Sequence, residues 1–157
     1  MNSLITQLFM NPGFRRFVLA MPLSKTDEPE KLLFETQRLF AHMQESYSKA
    51  ADASAFAEAI QTYENQQIDV TVQMDVEEFF GLLFDRWEQL MPSAEAKRQF
   101  RSFYGGETID QIKSLECEHV SEKTEEFFTV QCVVKGKLTL EDSLKAYVEG
   151  DAMQGGR

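Results

Sequence analysis

The sequence predicts an α+β fold in which a helical part, residues 1–104, is followed by the start of a sheet, residues 105–157. Two observations lead to this class. Before Tyr104 the apolar residues recur every three or four positions, which is the period of amphipathic helices. After Gly105 the period changes to two, which is typical of a half-buried strand, with apolar residues at Phe128, Val130, Cys132 and Val134.

Five helices are predicted in the first part. The first ends at the turn signal Asn-Pro-Gly of residues 11–13, and the second must end by Pro22. The polar stretch 23–31 is predicted to be a surface loop. A long third helix begins at Leu32, and its apolar face consists of Leu32, Leu33, Leu39, Phe40, Met43 and Tyr47.

The fourth and fifth helices are predicted on either side of a loop, residues 65–72. The fourth is short, and its apolar positions are Phe56, Ala59, Ile60 and Tyr63. The fifth is strongly amphipathic and ends before Pro92, with apolar positions at Phe79, Phe80, Leu83, Trp87, Leu90 and Met91.

The second part is predicted to contain two strands and one helix. Residues 109–116 are the expected partner of the strand over 128–134. Thr139 followed by Asp142 predicts a capping box for a helix through Leu140, which Gly150 would stop.

The composition favours a folded protein whose surface does not suit nucleic acids or membranes. The 157 residues are 43% hydrophobic, which is enough for a core. A net charge of −10 would repel nucleic acids and anionic membranes. No apolar run reaches the roughly 18 residues of a membrane helix. The acidic excess fits a basic partner, although it is also an ordinary source of solubility.

Two features bear on cellular location. Cys117 and Cys132 are too few for a disulfide framework, so they are predicted to be reduced thiols of an intracellular protein, in the cytoplasm or the nucleus. Residues 1–26 contain no acid and are similar in pattern to a mitochondrial transit peptide. The interruption at residues 11–13 and the low arginine content favour an ordinary helix instead.

No complete catalytic or cofactor motif is present. The chain has no Gly-x-Ser-x-Gly elbow, Walker loop or dinucleotide fingerprint, and no cofactor is predicted. His42 is predicted to be a partly exposed helix residue. Cys117 and His119 could ligate a metal, but a zinc site needs about four ligands, so a turn between two strands is favoured. Cys117 is disfavoured as a nucleophile because Glu116 and Glu118 would raise its pKa.

The stretch QMDVEEFF, residues 73–80, contains a local signal that has two interpretations. Asp75 and Glu78 stand three residues apart in front of an apolar run, which predicts a capping box with Asp in place of Ser or Thr. Asp75 would accept from unpaired backbone N–H groups, and Glu78 would reach back. The same two carboxylates could instead be presented to a basic partner.

Three stretches of the chain, in family order, resemble the ubiquitin-specific proteases, the papain-like deubiquitinases. Residues 1–19 are similar to the helix that follows the family's cysteine box. Residues 103–151 are similar to its fingers segment and the helix after it. Residues 73–90 are similar to its Gln-His-Asp-x-x-Glu-Phe box, which is matched by Gln73, Asp75, Glu78 and Phe79.

The resemblance implies a partial papain-like cysteine protease fold, with residues 1–104 in the helical thumb and 105–157 at the start of the fingers and palm. It implies ubiquitin or ubiquitinated proteins as partners, and hydrolysis after the C-terminal glycine of ubiquitin as the family's reaction. Gln73, Asp75 and Glu78 are the implied ubiquitin-binding residues, since carboxylates of this box hold the arginines of the ubiquitin tail.

The sequence also departs from the family pattern. The family's nucleophilic cysteine would precede Met1 by two positions and its histidine box would lie beyond Arg157, so no catalytic residue is expected in this chain. Met74 stands at the usual histidine. Ser114 stands at the first cysteine of a zinc knuckle, which leaves Cys117 as an orphan position and predicts no metal site.

Three interpretations remain open. The chain is a fragment of a cysteine-type deubiquitinase, a non-catalytic ubiquitin-binding or scaffold product, or, if the matches are accidental, a helical adaptor unrelated to ubiquitin. Half a papain-like fold exposes an apolar helical face, so the isolated chain is expected to be poorly soluble or partly ordered.

Overall fold

The structure, a computed structural model, describes residues 1–23, 31–114 and 116–149. The helices in these residues are α1 (Asn2–Met10), α2 (Pro12–Ala20), α3 (Lys31–Glu45), α4 (Ser54–Ala59), α5 (Val76–Gln89), α6 (Ala94–Arg101) and α7 (Leu140–Val148). The strands are β1 (Gly106–Lys113) and β2 (Val120–Phe127). Most of the predicted loop 23–31 and the predicted stop at Gly150 lie outside the described residues.

The chain divides into two compact units, Met1–Tyr104 and Gly105–Arg157. The first is helical, and the second combines a two-stranded antiparallel sheet with one helix. This mixture confirms the α+β class and is compatible with a partial papain-like domain. The assignment of the two units to thumb and fingers stays a prediction.

The predicted break between the first two helices is confirmed at Asn11. Its side chain caps α2, because Oδ1 accepts from the N–H groups of Gly13, at 3.0 Å, and Phe14, at 3.1 Å. Pro12 fills the first helical position, where a missing N–H costs nothing. The chain therefore turns sharply and directs Phe14 into the core.

The core of the first unit is largely aromatic. Phe14 is fully buried, and its ring centroid lies 5.3–6.3 Å from those of Phe40, Trp87, Phe100, Phe103 and Tyr104. All five pairs have the edge-on or tilted geometry that aromatic quadrupoles favour. Burial of these large rings joins α2, α3, α5 and α6 into one body.

One buried hydrogen bond links α5 to α3. The indole Nε1 of Trp87 donates to Oγ1 of Thr36 over 3.0 Å, and the Thr36 hydroxyl donates to the Leu32 carbonyl over 2.6 Å. Both polar groups are thus satisfied inside the core, as burial requires.

Two tyrosines were predicted on apolar helix faces, and both predictions are wrong. Tyr47 and Tyr63 lie beyond the ends of α3 and α4 and are exposed. The helical period continues in the sequence past Glu45 and Ala59, where the helices end. Periodicity alone does not identify those ends.

In the second unit, β1 pairs with β2 in an antiparallel hairpin, with Gly106 opposite Phe127 and Lys113 opposite Val120. The predicted turn around His119 is confirmed, since the N–H of Ser114 donates to the His119 carbonyl over 3.0 Å. β1 begins three residues earlier than the predicted 109–116.

The predicted strand over residues 128–134 is wrong, because the strand that pairs with β1 is residues 120–127. The short turn fixes the register, and because Phe127 lies opposite Gly106, the first residue of β1, this register leaves 128–134 without a partner in β1. Phe128, Val130 and Cys132 are half-buried and alternate with exposed residues, as the sequence pattern predicts. This segment nevertheless forms no strand. Cys132, an apolar position of this predicted strand, is partly buried.

The cap of the last helix is confirmed. Thr139 Oγ1 accepts from the N–H of Asp142 over 3.1 Å at the start of α7. Only Ser143 of this helix is buried, while the apolar side chains remain accessible at Leu140, Leu144, Tyr147 and Val148.

Candidate functional site

Asp75 forms the N-terminal cap of α5. Its Oδ1 atom accepts from the N–H groups of Glu77, at 2.8 Å, and Glu78, at 3.3 Å, which confirms the predicted cap. The reach-back half of the capping box is not formed, since within the described chain Glu78 makes no hydrogen bond to the Asp75 N–H. The positive end of the helix dipole favours the three carboxylates at this terminus, those of Asp75, Glu77 and Glu78.

The structure brings the predicted binding residues together on one exposed stretch. Gln73, Asp75 and Glu78 are all accessible to solvent, while the next two residues, Phe79 and Phe80, are buried in the core. The core therefore fixes the helix, and the polar residues at its start point away from it. Residues 73–80 thus provide both the cap of α5 and the exposed carboxylates.

The loop that leads into this stretch is held by internal bonds. The N–H of Thr62 donates to the Gln66 carbonyl over 2.7 Å, and the N–H of Asn65 donates to the Thr62 carbonyl over 3.0 Å. Asn65 has φ of 60°, a left-handed conformation that asparagine tolerates. Further on, Asp69 Oδ1 accepts from the N–H and the hydroxyl of Thr71, which lowers the pKa of Asp69.

Arg86 of α5 links this loop to the helix by hydrogen bonds. Its guanidinium donates to the carbonyls of Gln61, at 3.1 Å, and Thr62, and to Oδ1 of Asn65, at 3.4 Å. These bonds join residues more than 20 positions apart in sequence. The loop that precedes Gln73 is consequently positioned by the helix that follows it.

Tyr63 is a residue of this surface that the sequence did not reveal. Its hydroxyl donates to Oδ2 of Asp85 over 2.7 Å, and this bond is the main reason that the pKa of Tyr63 is raised. The Arg86 guanidinium lies 5.9 Å from the ring centroid. No local sequence signal predicts these contacts, because the helix and the loop are far apart along the chain.

The cysteine in the hairpin turn differs from its prediction. Cys117 is exposed, and hydrogen bonds from the Ser114 hydroxyl and then the His119 backbone lower the pKa of its thiol. The expectation that Glu116 and Glu118 would raise this pKa is wrong, because hydrogen bonds to a thiolate stabilise it directly.

The remaining candidates give no catalytic or metal-binding geometry. His42 is exposed on α3, as predicted. Across residues 1–23, 31–114 and 116–149, no group of three or more His, Cys, Asp or Glu side chains is arranged to hold a metal ion. In the same residues, no helix is long and apolar enough to cross a membrane.

Comparison with known proteins decides the family. The model of the family described as ubiquitin carboxyl-terminal hydrolase matches residues 1–145. The chain belongs to this family. The resemblance to the ubiquitin-specific proteases is thereby confirmed, and the matched range includes the cap of α5, the Tyr63 loop and the hairpin.

Individual deubiquitinases are similar along almost the whole chain. Human ubiquitin carboxyl-terminal hydrolase 34 is 33% identical over 98% of the chain, and Drosophila melanogaster ubiquitin carboxyl-terminal hydrolase puf is 31% identical over 99%. Ubiquitin carboxyl-terminal hydrolase 15 of Schizosaccharomyces pombe is 26% identical over 99%. The chain spans only 4% of the length of each of the first two proteins and 13% of the third.

Proposed function

We propose that this chain supplies part of the ubiquitin-binding surface of a ubiquitin-specific protease, in which Gln73, Asp75 and Glu78 contact the C-terminal tail of ubiquitin. The whole protein would be a cysteine-type deubiquitinase of the cytoplasm or nucleus that hydrolyses the bond after the ubiquitin C-terminal glycine. Its partners would be ubiquitin and ubiquitinated proteins. Family membership supports this reaction class.

The geometry of Asp75 carries the binding part of the proposal. Oδ1 accepts both helix N–H groups, and among the described residues Oδ2 makes no hydrogen bond. One oxygen therefore holds the helix while the other is available to a ligand. A carboxylate in this state suits an arginine guanidinium, whose planar fork makes strong charge-assisted bonds.

The same chain is proposed to bind ubiquitin without cleaving it. Hydrolysis in this family requires a thiolate activated by an imidazole base. Cys117 instead has the Ser114 hydroxyl and the His119 backbone as its hydrogen-bond partners, and it lies in an exposed hairpin turn. A non-catalytic ubiquitin-binding or scaffold role is therefore the alternative for residues 1–157 on their own.

Removal of the two charges tests the binding site. In the variant Asp75→Asn/Glu78→Gln, asparagine keeps the capping oxygen, so the fold should survive. Loss of desolvated charge-assisted bonds should weaken ubiquitin binding by about 30-fold, or on the order of 2 kcal/mol, measured by calorimetry. The matched control is Glu95→Gln/Glu141→Gln, which removes two carboxylates from the first turns of α6 and α7. Equal affinities for the variant and the control would reject the site.

A second assay tests the division between binding and cleavage. Ubiquitin that carries a fluorogenic amide at its C-terminus should bind to the 157-residue chain and release no fluorophore. Any release that persists in the Cys117→Ser variant would point to contamination, whereas release abolished by that variant would contradict the proposal.

A further inference from the structure

A groove lies between α2 and α6 in the first unit, and it shares no residue with the proposed tail contacts. None of the described residues that line it belongs to α5 or to the loop before that helix. Its volume is about 610 Å³, which is in the range of clefts that bury most of a bound ligand. One wall is a single side of α2, because Gly13, Arg16, Phe17 and Ala20 are spaced by three and four residues. This wall is about 10 Å long, which corresponds to about two helical turns.

The opposite wall carries small, polar or aromatic residues. It includes Ala96, Gln99 and Phe103, again three and four positions apart. The rings of Phe17 and Phe103 are half-buried, and their centroids lie 5.3 Å apart. A Cβ atom on Gly13 would lie 3.1 Å from the Phe103 ring, so the glycine lets this ring lie close to α2. Accessible aromatic surface between two helices suits the apolar side of a third helix.

The charge of the groove is opposite to that of the protein. The chain has a net charge of −10, yet Arg16 is the one charged side chain among the described residues that line the groove. Arg16 is exposed and forms no ion pair with another described residue. On α6, by contrast, Arg98 pairs with Glu95 and Arg101 pairs with Glu88. An unpaired guanidinium beside apolar surface favours a carboxylate, which it can bind through two parallel hydrogen bonds.

We propose that this groove binds an amphipathic helix of a partner protein. The apolar side of that helix covers Phe17 and Phe103, and one of its aspartate or glutamate side chains pairs with Arg16. Since the wall is about two turns long, the apolar residues of the partner recur at positions i, i+3 or i+4, and i+7. The proposal does not depend on ubiquitin binding, because the two surfaces share no residue.

A display library of randomised helical peptides tests the proposal on the full 157-residue chain. The library is selected on the unaltered chain and depleted on the Ala20→Leu variant, in which a larger side chain fills the groove from an exposed position. The retained peptides should share the apolar period and carry at least one acidic residue. Arg16→Glu should weaken their binding by about tenfold, because it replaces attraction by repulsion. Lys97→Glu makes the same charge change at an exposed position of α6 outside the lining, and it should leave affinity unchanged.

Four outcomes would overturn the proposal. The first two are a library that yields no peptide sensitive to Ala20→Leu, and retained peptides that bind equally well to Arg16→Glu. The third is self-association of the unaltered chain in sedimentation that Ala20→Leu abolishes, since a second copy would then occupy the groove. The fourth is a loss of ubiquitin affinity in Arg16→Glu, which would assign the groove to ubiquitin. If ubiquitin fails to bind the unaltered chain while the acidic peptides bind, the proposed function is rejected and the groove proposal stands.

Discussion

The two units of this chain differ in how their order is maintained. Met1–Tyr104 contains every buried apolar side chain of the described residues, including Phe14, Phe40, Trp87 and Phe100. In the described part of Gly105–Arg157, Ser143 alone is buried. There the secondary structure is stabilised by the hydrogen bonds between β1 and β2 and by the Thr139 cap of α7.

This difference implies that the two units contribute unequally to the stability of the protein. Burial of large rings contributes most of the free energy that stabilises a fold, whereas an isolated two-stranded hairpin is marginal in water. The first unit can therefore hold a loop with a left-handed residue, Asn65, beside its core. The second unit has many accessible apolar side chains, among them Ile109, Val134, Leu140 and Val148. We expect stability to be concentrated in the first unit.

The largest test of this contrast is Phe14→Ala. Loss of a fully buried ring that contacts five other aromatic rings should lower the free energy of unfolding by about 3–5 kcal/mol. Urea unfolding followed by circular dichroism measures it. The matched substitution in the second unit, Val134→Ala, removes an exposed side chain and should change the free energy by no more than about 0.5 kcal/mol. Similar effects of the two substitutions would remove the contrast.

A smaller effect is expected from Thr36→Val, which keeps the side-chain volume but removes the acceptor of the Trp87 N–H. Leaving a buried donor unsatisfied should cost about 1–3 kcal/mol. Because Trp87 is the single tryptophan of the chain, its fluorescence follows the unfolding of the first unit directly. Thr6→Val, at an exposed position of α1, is the control, and it should leave the transition almost unmoved.

Gly106→Ala tests the second unit alone. A methyl group on Gly106 would lie 2.5 Å from the Phe127 ring, so the ring must move and the hairpin should lose about 1–3 kcal/mol. Amide hydrogen exchange in β1 and β2 should accelerate, while the Trp87 fluorescence transition stays in place. Adding Phe127→Leu should restore slower exchange. Unchanged exchange in Gly106→Ala would mean that the Phe127 ring does not pack against Gly106.

The smallest expected effect concerns the thiol in the hairpin turn. Since hydrogen bonds lower the pKa of Cys117, its thiolate forms at lower pH than in the unfolded chain, and alkylation should follow. Ser114→Ala removes the main cause, so the midpoint of the alkylation rate against pH should move upward. Mass spectrometry of the Cys117 peptide measures this rate. A midpoint that stays in place would show that the hydroxyl does not act on the thiol.

The sequence predicts what depends on near neighbours. The caps at Asp75 and Thr139 use groups two or three residues away, and the apolar period of α5 reports its buried side. Those elements could be found without a structure. The residues of the proposed tail contact belong to one continuous box, so the sequence alone suggests them, and their role stays a prediction.

Features that depend on distant partners were missed. β2 carries no apolar period because nearly all its side chains are exposed, and the clearer alternation of residues 128–134 therefore predicts a strand at the wrong place. The bonds of Tyr63 to Asp85 and of Arg86 to Gln61 join residues 22 and 25 positions apart. Only the three-dimensional arrangement of loop and helix shows that Tyr63 lies against α5.

The polar hairpin also has a consequence for the newly synthesised chain. The described sheet has two strands, so each strand offers one unpaired edge to other molecules. β2 carries four charged side chains in eight residues, Glu122, Lys123, Glu125 and Glu126. Such charge density disfavours edge-to-edge pairing between copies. We therefore expect the charged composition of β2, which gives the strand no apolar period, also to disfavour pairing of its edge with a second copy of the chain.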